Sequence, residues 1–222
     1  HLNWRDMVVR LGAATDIFWH AGYELAWHRK LPSFNDLVLD YSSLVGPPFR
    51  SDKFEQVLRE ILERSPAHND FRRLKQPLFI GASDQDARRH VVFGAPGRDA
   101  VPISVAVQGS LSINPAFSSV EIDDRYYEDG AVTRTSNFVE AIDRGADLVF
   151  ILDPFVPYVS QIVGTAHRRG VLYNIDQGIR ALSYTRFEHA REWALRRHPQ
   201  VSTYTFLPSN RARRLLSMNP MD

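Results

Sequence analysis

The rhythm of apolar positions changes along the chain. Up to about residue 65 the spacing is three and four, as on one face of a helix. Ile17, Ala21, Leu25 and His28 keep this spacing within an aromatic-rich stretch from Trp4 to about Lys30. Leu31-Pro32-Ser33 interrupts it, and Phe34, Leu37, Val38 and Tyr41 suggest a second, short helix. Gly46-Pro47-Pro48 is a firm break. Ser51 or Asp52 then caps a helix that runs through Arg64, with Phe54, Val57, Leu58, Ile61 and Leu62 on one face and Pro66 as its stop.

From residue 77 the pattern becomes strand-like. Residues 77–83 and 90–93 read as strands on either side of a polar turn from Asp84 to Arg89. Residues 100–113 are apolar and fit either helix or strand. Val120–Ile122 and Arg125–Tyr127 predict a hairpin across Asp123-Asp124, because aspartate readily bonds its own backbone in turns. A helix over Phe138–Arg144 should stop at Gly145. The all-apolar run Leu148–Leu152 has the signature of a strand buried on both faces of a parallel sheet. Gly170–His198 predicts a long helix with Leu172, Ile175, Ile179 and Leu182 as its stripe, followed by a strand over Ser202–Leu207. Strands alternating with helices argue for an α/β fold built in three layers.

Length and composition narrow the picture. The 222 residues suit one large domain better than two. Hydrophobic residues at 44% and charged residues at 24% exclude a disordered or collagenous chain. Basic and acidic side chains nearly cancel to a net charge of +1, which argues against bulk capture of nucleic acid. With no cysteine there is neither a disulfide framework nor a thiol nucleophile. No apolar run approaches the roughly 18 residues of a membrane-spanning helix. The chain starts at His1 rather than Met, without a signal-peptide pattern, so either a leader has been removed or the sequence starts inside a longer protein. The location stays open between cytoplasm and a peripheral membrane site.

Motifs for nucleotide phosphates and zinc are missing, and the eight histidines are scattered. His20 and His28 share a helical face, for which a surface role outweighs metal binding. Trp4, Phe18, Trp19, Tyr23 and Trp27 form either a lipid-facing lid or, more simply, core packing. Arg196, Arg197, Arg211, Arg213 and Arg214 suit a solvated surface better than contact with lipid phosphates. The most informative stretch is Tyr126-Tyr127-Glu128-Asp129-Gly130-Ala131, where an aspartate leaves a strand end beside a glycine. In open α/β sheets ligands bind at that kind of crevice.

Four segments, 46–65, 77–94, 101–122 and 126–153, resemble in their order the patatin-like phospholipase family. The features that carry the likeness are the strand stretch PLFIGASDQDARRHVVFG, the small-residue stretch Val107–Phe117 passing through Pro115, the hairpin, and Asp129-Gly130-Ala131 in place of the D-G-[GA] motif. A helix and the Gly145-Ala146-Asp147 turn into an apolar strand complete it. The resemblance is weaker over the C-terminal helix and the final residues.

The resemblance implies a patatin-like three-layer sandwich around a mostly parallel sheet, truncated at its N-terminus. Residues 1–65 would form an aromatic-rich helical segment, 77–153 the core, and 170–208 a final helix and strand. It implies a lipid acyl hydrolase of phospholipase A or lysophospholipase type, working through a Ser-Asp dyad without metal or organic cofactor. Asp129 would be the base, with Gly130 letting the backbone turn and Ala131 completing the motif. The family's oxyanion loop and its G-x-S-x-G serine have no counterpart here. Gly81-Ala82-Ser83-Asp84-Gln85 and Gly109-Ser110-Leu111-Ser112-Ile113 each lack the second glycine, so Ser83, Ser110 and Ser112 are expected to be satisfied by nearby backbone. Asn137 stands where the family often has proline and, with Ser136, is expected to cap the following helix. The implied partner is a lipid or phospholipid substrate, not nucleic acid. The fragment alone is expected to be inactive. The alternatives are a non-catalytic relative that binds lipid or protein, and an unrelated α/β domain in which Asp129 only closes a turn.

Overall fold

The structure, a computed structural model, describes Trp19, Pro47, residues 49–114 and residues 116–218. The expected helices within Trp4–Lys30 and at Phe34–Tyr41 lie outside these residues, as do all the aromatics proposed for a lid except Trp19, which is exposed. The chain is mixed α/β and divides into two compact units, His1–Gly130 and Ala131–Asp222.

In the first unit, helix α1 spans Asp52–Leu62. Ser51 precedes it as foreseen, but its hydroxyl makes no capping bond, and the cap position is not extended. Strands β1 (Ile80–Asp84) and β2 (Arg89–Phe93) form the first hairpin. The ambiguous stretch resolves as helix α2, Ile103–Ser110, started by Pro102. Strands β3 (Val120–Ile122) and β4 (Arg125–Asp129) form the second hairpin. Asp123 and Asp124 both take positive φ, 51° and 57°, as a two-residue hairpin turn requires.

The four strands make one antiparallel sheet in the order β2-β1-β4-β3. A mostly parallel sheet was expected; the larger of the two described sheets runs antiparallel throughout. The reason is local: both strand pairs are joined by tight hairpins, and a parallel pair needs a long crossover instead. Helix α2 lies on the sheet. Ile103 and Ala106 join Ala82, Val91, Phe93, Ile122 and Tyr127 in a core where the Phe93 and Tyr127 rings meet edge to face at 5.1 Å.

In the second unit, helix α3 (Phe138–Asp143) ends where Gly145 adopts φ 92°. Asn137 occupies the cap position, but its side chain accepts no capping bond. Strand β5 (Leu148–Leu152), the short helix α4 (Thr165–Arg168), the long helix α5 (Val171–Arg197) and strand β6 (Ser202–Phe206) follow. The last described element is helix α6, Asn210–Met218. Strands β5 and β6 pair in parallel, Leu148 opposite Ser202 through Leu152 opposite Phe206. Val149 and Ile151 pack with Phe138, Ile142, Phe187, Ala194 and Val201.

Two expectations change here. Strand β5 is covered on one face only among the described residues, since Leu148, Phe150 and Leu152 are exposed between the buried Val149 and Ile151. The expected stripe of α5 is also turned outward: Ile175, Ile179 and Leu182 are exposed, while the helix buries Arg180, Phe187 and Ala194. Arg180 lies inside because its charge is matched on the same helix by Asp176 at 2.9 Å and its guanidinium stacks over Phe155 at 4.3 Å.

Candidate functional site

Asp129 is the last residue of β4, opposite Ala82 of the central strand β1. Three main-chain groups around it are fixed. Its N–H donates to the Ser112 carbonyl at 3.0 Å. Its own carbonyl accepts from Ser83 Oγ at 2.8 Å, and the same hydroxyl reaches the Gly130 carbonyl at 3.4 Å. The Asp129 side chain is half-buried.

Gly130 opens a single 3-10 turn, Gly130–Val132. Its expected role was to turn the backbone, but it is not among the glycines with positive φ. The need for glycine is steric. A Cβ placed here would lie 2.5 Å from the Gly81 carbonyl oxygen and 2.8 Å from the Gly81 carbonyl carbon. Both obstacles are backbone atoms of strand β1, so no side-chain rotation relieves them. Ala131 is exposed, and the boundary between the two units falls between it and Gly130.

Ser83 and Ser112 are satisfied by main-chain carbonyls, as expected. Ser83, fully buried, is bonded to the carbonyls described above, and Ser112, also fully buried, donates to the Gln108 carbonyl at 2.8 Å. Ser110 ends α2. Asp123 and Asp124 sit in the turn at the opposite end of β4 from Asp129, so the three aspartates do not form one cluster. Among the described residues no three His, Asp or Glu side chains gather closely enough to hold a metal ion.

Two carboxylates near this strand escaped the sequence reading. Glu128, 3% exposed, precedes Asp129 and so points to the other face of the sheet. It accepts from Asn114 Nδ2 at 3.1 Å and faces Arg88 at 3.5 Å. Asp84, fully buried at the end of β1, accepts from Arg125 Nε at 2.5 Å and from the Ala87 N–H at 2.9 Å. The Arg125 bond is the main cause that lowers its pKa to about 2, against the opposing effect of burial. The strand alternation of Tyr127, Glu128 and Asp129 was the signal available for Glu128. For Asp84 none existed, because its partner lies 41 residues away.

No family model matches the chain, and no curated protein matches it either.

Proposed function

We propose that this chain carries the base half of a serine-type lipid acyl hydrolase of the patatin-like kind. One observation supports the reading above all: Asp129 stands at a strand end beside a glycine that admits no Cβ, with the main chain on either side of its carboxylate tied to β1 and to Ser112. A base is useful only if its carboxylate is held in register with the hydroxyl it serves. The order of segments around Asp129 points the same way.

In this reading the Asp129 carboxylate accepts the proton of a serine hydroxyl as that oxygen attacks the ester carbonyl of a fatty-acyl lipid. The alcohol portion leaves with the proton, and an acyl-serine ester remains. Asp129 then takes a proton from water as the water oxygen attacks the acyl carbon; the serine oxygen leaves, recovering that proton, and the fatty acid is released. None of Ser83, Ser110 or Ser112 is assigned the nucleophile's role: none lies in a G-x-S-x-G segment, and the Ser83 and Ser112 hydroxyls are committed to main-chain carbonyls. The second reading is a non-catalytic module that binds lipid or protein on the same fold. No described helix is long and apolar enough to cross a membrane, so lipid would be met at a surface.

The test uses the product of the complete reading frame that encodes these residues, assayed with p-nitrophenyl esters and phospholipid vesicles. Asp129→Asn should lower kcat by about a thousandfold or more, the scale seen for members of such catalytic units. Undiminished activity refutes the assignment, and absence of activity in the parent protein favours the binding module. The 222-residue chain alone should match its own Asp129→Ala variant at background.

A further inference from the structure

The last row of the antiparallel ladder gathers charge on one face of the sheet. Arg89 of β2 and Tyr127 of β4 lie on either side of Asp84 of β1. Side chains directly opposite in a ladder point to the same face, and Arg125, two residues before Tyr127, joins them. Arg98 arrives from the turn after β2 and donates to the Tyr127 hydroxyl at 3.0 Å. Its approach is set by a type II turn over Ala95-Pro96-Gly97-Arg98. Proline fixes the second position, Gly97 takes φ 78° at the third, and Arg98 N–H donates to the Ala95 carbonyl at 2.8 Å.

The charges in this corner do not balance. Asp84 is buried, and Arg125 already holds its carboxylate, with Arg89 adding a weaker attraction. Asp86, exposed in the hairpin turn, acts on Arg125, and Asp99 acts on Arg72, which is itself paired with Asp70. Neither Arg89 nor Arg98 forms an ion pair among the described residues. Arg98 is half-buried against a neutral phenol, which satisfies a donor but not its charge. Both arginines border a groove of about 370 Å³, whose wall is completed by residues 90–92 of β2 and by Ala95 and Pro96.

We propose that this groove binds a phosphate monoester, with its phosphate between the Arg89 and Arg98 guanidinium groups and its organic part against Ala95 and Pro96. Guanidinium forks bond phosphate oxygens in pairs. A monoester near pH 7 carries about −1.5 to −2, which matches two uncompensated positive charges, whereas a carboxylate brings only one. The groove falls toward the small end of the roughly 300–1,000 Å³ usual for small-molecule sites, enough for a phosphate with one ring attached. A soluble monoester and the headgroup of a phosphatidic-acid-type lipid offer the same chemistry. The inference goes beyond the hydrolase reading, and neither Asp129 nor a serine takes part.

The probe is phenyl phosphate, titrated into the 222-residue chain at low salt and followed by calorimetry. Saturable binding is expected, displaced by inorganic phosphate and about tenfold tighter than that of benzoate, which has the same ring and a single charge. Arg98→Gln should weaken it about tenfold and Arg89→Gln about fivefold; Arg89 is exposed, so its variant keeps the parent's thermal transition and reads the site rather than the fold. Arg196→Gln, in the other unit, should leave binding unchanged. Vesicles of phosphatidic acid in phosphatidylcholine then identify the source of the phosphate: displacement of phenyl phosphate supports a lipid headgroup, and none supports a soluble monoester. Benzoate binding as tightly as phenyl phosphate overturns the proposal, as does an Arg89→Gln variant that binds like the parent or an equal loss in Arg196→Gln. So does the absence of saturable binding, including the case in which the chain itself fills the groove.

Discussion

The two units use strands of similar length and opposite economy of burial. In the antiparallel sheet of the first unit, β1 is buried through Gly81–Asp84, and its polar members, Ser83 and Asp84, are each bonded. In the parallel pair of the second unit, every residue of β5 is apolar, yet alternate ones are exposed, Phe150 at 58% and Leu152 at 77%. Phe150 stacks on Tyr204 and tilts toward Phe206, so exposed rings from both strands adjoin on the outer face. Apolar content therefore did not decide burial here; what lies against each face did. The first unit tolerates buried polar groups because the ladder and the side chains satisfy them. The second carries more hydrophobic surface than its described neighbours cover.

That contrast can be tested by perturbing equivalent places. The largest effects should come from the two aromatic anchors, Tyr127 and Phe187, each 1% exposed. Truncating either to alanine should cost about 3–5 kcal/mol, the range for large core aromatics, read by urea unfolding with a probe in the affected unit. If Tyr127→Ala and Phe187→Ala shifted the same single transition equally, the two units would be unfolding as one. Next comes Gly130→Ala, which drives a methyl into backbone and should cost about 1–3 kcal/mol, the range for overpacking. A neutral outcome in the same unfolding assay would contradict the close approach to Gly81.

Acid should separate the units as well. Because the Asp84 pKa is lowered to about 2 in the folded state from 3.8, the folded protein binds fewer protons than the unfolded chain between these values. Its contribution is therefore complete above about pH 4 and is lost as the pH falls toward 2. Thermal unfolding of Asp84→Asn should show a shallower acid dependence for the first unit over this window, while a second-unit probe should not respond. The smallest effect is expected at Phe150→Thr, within about 0.5 kcal/mol, because the ring is already largely in water. A loss of 2 kcal/mol or more would show that the outer face of β5 is covered after all.

How much of this was legible in the sequence depended on range. Local features read through well. The Asp123-Asp124 hairpin, the stop at Gly145, and strands β5 and β6 follow from turn chemistry and short-range pattern. The pairing of β1 with β4 sets Ala82 opposite Asp129 and brings the Ser83 hydroxyl to the Asp129 carbonyl, 46 residues away, and no local pattern encodes it. The reason Gly130 must be glycine lies in Gly81, so the motif was visible while its physical cause was not. The outward stripe of α5 misled for a related reason. Helical periodicity identifies an apolar face but not its neighbour, and the buried side of this helix is anchored by Phe187, Ala194 and an ion-paired arginine.

The two-residue turn at Asp123-Asp124 has a consequence at the far end of its strand. Side chains on a strand alternate with a period of two, so the count of residues from the turn decides which of the adjacent carboxylates, Glu128 or Asp129, faces which side of the sheet. One residue more or fewer in the turn would exchange them. The turn thus acts as a gauge, assigning distinct surroundings to two chemically similar neighbours before either meets a partner.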